Sequence, residues 1–406
     1  MNYLILKNNS VVVFGENGSI IYNLSNKDYY SIDLIHTEIL REIKRGTPIS
    51  EIKMKFEEKV VLSFFEQLIT SEIAEISEHH YVEEYSRIGH AKSSTNLDLT
   101  TCYIELPTSC TKECENCESL KLFSCLTCTK PKVISEEIDL EFYRNILNEI
   151  LQTPVSTLIF HGGDPLIKEN QILELLKYTR EHASENLQII VKTNGELIDD
   201  KYVKSFIKYK INPLIVFNST NKYEKELDIK LTYLREFLNE LSINNIDYFG
   251  NILFDDPTPQ QHEISLEKLK NYNFKTISIS IVIDEQSDLQ KYSKINFSER
   301  LSSNFSLNKD LHPCLNGIIA VTSDRKISPC PTMTNHILLD LNRDNFIDLF
   351  DTVETLDTFW RFSLEKIETC QHCKFRFSCV DCRSLEDQLT NDYYKKDICY
   401  IGESIS

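Results

Sequence analysis

From about residue 97 onward, short apolar runs alternate with longer stretches whose apolar residues recur every three or four positions. The runs are Leu99–Leu106, Val155–Phe160, Leu187–Val191, Pro213–Phe217, Tyr248–Phe254 and Thr276–Ile283, and their length and β-branched content predict buried strands. Helical stretches fall around 137–152, 167–182, 198–209, 221–244 and 261–272. In the first, Leu140, Tyr143, Ile146, Leu147, Ile150 and Leu151 follow the spacing that gathers one apolar stripe on a helix. Six strands with five intervening helices predict an α/β fold built on a parallel sheet, either doubly wound or an incomplete barrel. In both, chemistry belongs at the carboxyl ends of the strands.

The first 78 residues carry a different pattern. Tyr3–Lys7, Val11–Phe14 and Ile20–Asn23 are β-prone and are separated by Asn8-Asn9 and the turn Gly15-Glu16-Asn17-Gly18. Three helical patterns follow. Ile32, Ile35, Ile39, Leu40 and Ile43 end at Gly46; Ile49, Ile52 and Phe56 follow the start signal Thr47-Pro48; Val60, Val61, Phe64, Phe65 and Leu68 make the third. A hairpin with three short helices predicts a winged-helix-like α+β domain over 1–78. Residues 79–96 are polar without a clear apolar period and read as a linker. The alternating region spans 97–285, and 286–406 breaks into short segments spaced by cysteines.

Composition narrows the classes. A chain of 406 residues exceeds one compact core and suits two or three domains. With 41% apolar and 26% charged residues it is an ordinary globular sequence. A net charge of −18 argues against a nucleic-acid or anionic-membrane partner, and acidic residues also outnumber basic ones in the N-terminal segment. No run of 18 apolar residues occurs and the first residues lack a signal-peptide pattern, so a cytoplasmic location is expected. In a reducing compartment, clustered cysteines point to metal rather than disulfides. Of the thirteen, six lie between Cys102 and Cys128 and seven between Cys314 and Cys399.

The first group includes Cys110, Cys114 and Cys117, directly after the first strand of the alternating region. Three thiolates in one loop can hold three irons of a [4Fe–4S] cube and leave the fourth open. The same residues allow another reading, because Cys114/Cys117 and Cys125/Cys128 form a CxxC–x7–CxxC array suited to tetrahedral zinc. The second strand ends in His161-Gly162-Gly163-Asp164-Pro165, the third in Lys192-Thr193-Asn194-Gly195, and the fourth in Phe217-Asn218-Ser219. Glycines there let backbone approach a ligand closely, and a carboxylate beside them can meet an ammonium group.

CxxxCxxC, GG(E/D)P and TNG in this order resemble the radical S-adenosylmethionine (radical SAM) superfamily, over roughly residues 97–285. The resemblance implies a (β/α)6 partial TIM barrel in which Cys110, Cys114 and Cys117 ligate a cluster. Its open iron would take S-adenosylmethionine, cleaved to a 5′-deoxyadenosyl radical. Gly162, Gly163, Asp164 and Pro165 would border the methionine amino group, with Thr193, Asn194, Asn218 and Ser219 on the ribose and carboxylate side. Asp164 is one methylene shorter than the usual glutamate, and Asn116 replaces the usual aromatic residue.

Cys314, Cys330, Cys370, Cys373, Cys379, Cys382 and Cys399 are similar in order to the SPASM domain, which carries auxiliary [4Fe–4S] clusters in radical SAM maturases. Arg325 stands where that pattern usually has glycine. The resemblance implies an outer cluster on Cys370, Cys373, Cys379 and Cys399 and an inner one on Cys314, Cys330 and Cys382, making three clusters in all. No further cysteine lies between Cys314 and Cys330, so the inner set is one ligand short. A substrate thiolate on that open iron, and hence a thioether product, is the expectation drawn from the gap. Cys102, Cys125 and Cys128 find no place in the pattern.

The N-terminal segment resembles the PqqD-like element that recognises ribosomally made precursor peptides by adding the leader as a strand. That implies docking on the edge of Ile20–Asn23 and on the helix bearing Val60, Phe64 and Leu68. The implied activity is modification of a precursor peptide, by a thioether, carbon–carbon or carbon–oxygen crosslink, with an external electron donor such as flavodoxin or ferredoxin. Protein side-chain oxidation of the anaerobic sulfatase-maturase kind is the alternative within the class. A non-catalytic peptide-binding scaffold holding zinc is the alternative outside it.

Overall fold

The computed structural model describes residues 1–26, 28–81, 99–111, 121–123, 125–218, 224–254, 259–283, 305–351, 353–379 and 381–399. Most of the expected linker, together with Cys114, Cys117 and Ser219, lies outside the described residues.

The N-terminal unit contains β1 (Tyr3–Leu6), β2 (Ser10–Gly15), β3 (Gly18–Asn23), β4 (Asp28–Ile32), α1 (Leu34–Arg45), α2 (Ile49–Lys55), α3 (Glu58–Thr70) and β5 (Ala74–Ser77). Asp33 caps α1 by accepting the His36 N–H at 2.9 Å, and Gly46 ends it in the left-handed conformation. Ile39, Leu40 and Ile43 of α1 and Val61, Phe64, Phe65 and Leu68 of α3 pack into one core. β1 pairs with β5, and β2, β3 and β4 form an antiparallel sheet in that order.

This sheet corrects two expectations. Ile20–Asn23 is not an edge, because β3 lies between β2 and β4 and Ile20, Ile21 and Tyr22 are fully buried. Phe64 and Leu68 point into the core. The sequence hides β4, since Asp28-Tyr29-Tyr30-Ser31 lacks a clean alternation and Ile32 fits the helical pattern that follows. Ile35, assigned by that pattern to the apolar face, is 62% exposed.

The central unit runs β6 (Thr101–Glu105), β7 (Lys121–Phe123), α4 (Leu140–Ile150), β8 (Thr157–His161), α5 (Glu169–His182), β9 (Gln188–Thr193), α6 (Asp200–Tyr209), β10 (Ile211–Asn218), α7 (Glu224–Ile243), β11 (Phe249–Phe254), α8 (Pro259–Lys270) and β12 (Thr276–Ile283). Strands β6, β8, β9, β10, β11 and β12 are parallel neighbours in chain order. A doubly wound sheet reverses its order partway; this one does not, so its strand order is that of a barrel. The helices bury one stripe each against it, such as Tyr143, Ile146, Leu147 and Ile150 of α4 and Leu227, Leu231, Leu234, Leu238 and Leu241 of α7.

The remaining elements are α9 (Phe305–Asp310), β13 (Ile318–Val321), β14 (Lys326–Ser328), β15 (Leu339–Asp340), α10 (Val353–Trp360) and α11 (Arg383–Thr390). β13 pairs parallel with β6, setting Ala320 opposite Tyr103, and β14 and β15 continue outward. β7 pairs antiparallel with β12 at the opposite edge. One ten-stranded sheet therefore crosses the boundary expected at residue 286. The N-terminal unit docks on the cysteine-rich segment. The Arg376 guanidinium donates to Phe14 O at 2.9 Å, Lys374 Nζ to Asn17 O at 3.1 Å, and the Tyr22 and Ser378 hydroxyls meet.

Candidate functional site

The glycine turn after β8 is held against the segment leading to Cys110. Gly163 N–H donates to Thr129 O at 2.9 Å and Asp164 N–H to Ser109 O at 2.8 Å. Gly162 and Gly163 have φ of +106° and +57°, and a Cβ on Gly163 would run into the carbonyls of Thr108 and Ser109. Only glycine suits both demands. Asp164 is fully buried, and its carboxylate accepts the Thr193 hydroxyl at 2.8 Å, the Asn194 N–H at 3.0 Å and the Leu166 N–H at 3.1 Å. Burial raises its pKa, with these donors opposing. Both oxygens are engaged in joining the β8 turn to the β9 turn, so Asp164 acts here as a clamp and starts the short helical turn at Pro165.

Asn194 completes the junction. Its side-chain N–H donates to Thr111 Oγ1 at 2.8 Å and lies 3.7 Å from Cys110 Sγ. Cys110, Gly162–Asp164, Thr193 and Asn194, chosen from separate stretches of sequence, thus meet at the carboxyl ends of adjacent strands. Asn218 ends β10 two strands from β8.

Three inward residues were not singled out from the sequence. Tyr103, Ile159 and Ile190 share one cluster inside the sheet, so strand alternation points Glu105, His161 and Lys192, two residues on, to the same side. That period-two signal was readable. His161 Nδ1 pairs with Thr129 Oγ1 at 2.8 Å, while its buried Nε2 has no partner; burial, then Lys192, lowers its pKa. Lys192 donates to Cys125 O at 3.2 Å, and its pKa is lowered by burial. Cys128 is pushed up to about 12 by burial, with Lys192 opposing and Asp164 and Cys110 adding to the rise.

In the C-terminal region, Cys370, Cys373, Cys379 and Cys399 line one cavity of about 210 Å³, with Lys396 in its wall and Glu16 and Asn17 of the β2–β3 turn at its side. Among the described residues no three His, Cys, Asp or Glu side chains are gathered as a ready-made single-ion site. Beneath the cavity runs a buried ionic network. Asp381 accepts from Arg383 at 2.8 Å and Lys396 at 2.6 Å, and Lys396 also donates to Glu386 at 3.1 Å. Cys314, Cys330 and Cys382 lie elsewhere: the first precedes β13, the second follows β14, and the third immediately precedes α11.

A family model described as a 4Fe-4S single cluster domain matches residues 102–228. The chain is 22% identical over 273 residues to the radical SAM cyclopropyl synthase TigE of Paramaledivibacter caminithermalis, covering 64% of this chain and 56% of that protein. The chain thus spans a little over half the length of that relative. Among solved structures, native anSMEcpe with bound AdoMet and Cp18Cys peptide superposes with a TM-score of 0.54 at 16% identity, over 74% of this chain and 93% of that one. Streptococcus suis SuiB bound to S-adenosylmethionine aligns over 98% and 99% of the two chains at 12% identity, with a TM-score of 0.49. The parallel-sheet fold resembles that of the AdoMet-bound anSMEcpe structure. Among the described residues no helix is long and apolar enough to cross a membrane.

Proposed function

We propose that the chain is a radical SAM maturase of a ribosomally made precursor peptide, carrying one radical cluster and two auxiliary [4Fe–4S] clusters. The observation that carries this reading is the junction of Cys110, the Gly162–Gly163 turn and the Thr193–Asn194 turn at the ends of three strands. Cys110, Cys114 and Cys117 would hold the radical cluster. The two glycines let their turn lie against the backbone of the segment leading to Cys110, and Asp164 fixes that turn to the Thr193–Asn194 turn. When bound, the reduced cluster and S-adenosylmethionine supply a radical able to remove an unactivated hydrogen. Asn194, within reach of Cys110, would orient the polar end of the bound molecule. His161, Lys192 and Cys128 form the polar lining beneath, where the unpartnered His161 Nε2 is free to meet a substrate group.

The cavity bordered by Cys370, Cys373, Cys379 and Cys399 would hold the outer auxiliary cluster. Its wall includes the tip of the N-terminal unit, which ties peptide recognition to that cluster. The leader would add along β4, an outer strand of the three-stranded sheet, rather than along β3.

The test is production of 5′-deoxyadenosine from S-adenosylmethionine under a strong reductant. The anaerobically reconstituted chain should form it. Replacing Cys110, Cys114 and Cys117 together with alanine should abolish it, a loss of at least about a thousandfold in turnover, or roughly 4 kcal/mol. Undiminished production by the triple variant would contradict the reading.

A further inference from the structure

The inner cysteine set is short of one ligand in sequence, and the fold carries a fourth thiol to it. Cys125 follows β7 by two residues, and β7 neighbours α11, which Cys382 immediately precedes. The Tyr103 hydroxyl lies 3.2 Å from Cys125 Sγ. Tyr103 sits opposite Ala320 on β13, between the arms bearing Cys314 and Cys330, and Cys125 packs on the cluster formed by Tyr103 and Ala320. Cys125 is within electrostatic reach of Cys314, Cys330 and Cys382. Cys128, three residues on, feels Cys110 and Asp164 instead. The two thiols of the CxxC pair thus have different cysteine neighbours.

We infer that Cys125, from the loop following the radical-cluster segment, is the fourth ligand of the inner auxiliary cluster alongside Cys314, Cys330 and Cys382. The inference rests on the auxiliary-cluster part of the proposed function. On ligation the thiol gives its proton to solvent and binds as thiolate. It removes the ground for an open inner iron, and with it the argument for a substrate thiolate and a thioether. It also joins the inner cluster to the barrel interior, since Lys192 holds the Cys125 carbonyl.

The experiment uses the full chain with Cys110, Cys114 and Cys117 replaced by alanine, so that only auxiliary clusters remain. This parent should bind about eight iron and eight sulfide, four of each per cube. Cys125→Ala added to it should either lose about four iron, with one of two reduced-cluster electron paramagnetic resonance signals disappearing, or keep the iron and acquire a signal that shifts on adding 2-mercaptoethanol. Cys125→Ser, which keeps a weaker ligand in place, should retain iron and shift the same signal. Cys128→Ala should leave both signals as in the parent. Iron content, signals and thiol response equal to the parent's in both Cys125 variants would overturn the inference while leaving the clusters standing. A parent without iron and sulfide would overturn the auxiliary-cluster reading together with it.

Discussion

Arg325 shows how a departure from a sequence pattern is absorbed. The SPASM-like pattern has glycine there, and the backbone keeps the left-handed conformation that glycine favours, with φ of +62°. That conformation costs an arginine about 1–2 kcal/mol. The side chain answers by pairing with Asp139 at 2.7 Å and lying over the Phe142 ring at 4.7 Å, which ties the β13–β14 turn to α4. Glu42 is a second residue whose surroundings decide its behaviour. It accepts from Lys55 at 2.5 Å, Arg45 at 2.7 Å and Thr47 at 2.8 Å, joining α1 to α2, and these donors, Lys55 foremost, hold its pKa down to about 2. A depressed carboxylate contributes stability above its unfolded pKa of about 4.3 and loses it as pH falls toward the folded value. Glu42→Gln should therefore destabilise by about 2 kcal/mol at pH 7. Thermal melts should show the gap between variant and parent closing between pH 4.5 and 2; a gap constant across that window would contradict the assignment. Residue identity was the most legible layer: Cys110, Gly162, Gly163, Thr193 and Asn194 were chosen from motifs and meet in space. The role of Asp164 was not legible, because a carboxylate's partners depend on which turn lies opposite.

Elements were legible where apolar periods are long and hidden where strands are short. Six of the seven strands of the central unit, and its five helices, fall where alternation and helical spacing put them; β7, three residues long, was missed. β13, β14 and β15 are four, three and two residues long, too brief to carry a period, so the cysteine spacing around them suggested a separate domain. Pairing between β13 and β6 instead makes them part of the same sheet, and the Trp360 indole N–H bonds Ile318 O at 3.0 Å to fix the strand from outside. A chain ending at residue 285 would expose the edge of β6 and the apolar faces of Leu315, Ile319 and Val321's partners in the core. It should show no cooperative thermal transition by circular dichroism. A melt matching that of the full chain would mean that the central unit is autonomous.

At the scale of the whole molecule, the sites are linked through packing rather than through the chain. The β2–β3 turn walls the outer cysteine cavity, the loop after β7 reaches the inner cysteine set, and the same loop's Cys128 faces the Cys110 junction. Sequence reading assigned the partners in the first two of these contacts to separate domains, since contacts between residues hundreds of positions apart leave no local period. The buried Asp381–Arg383–Lys396–Glu386 network, between the C-terminal cysteine sets, was likewise unreadable, because its members look like surface charges in sequence. The central claim is three iron–sulfur cubes on one chain, and metal analysis of anaerobically purified, reconstituted protein tests it most directly. The account predicts about twelve iron and twelve acid-labile sulfide per chain; one or two zinc with no sulfide would contradict it.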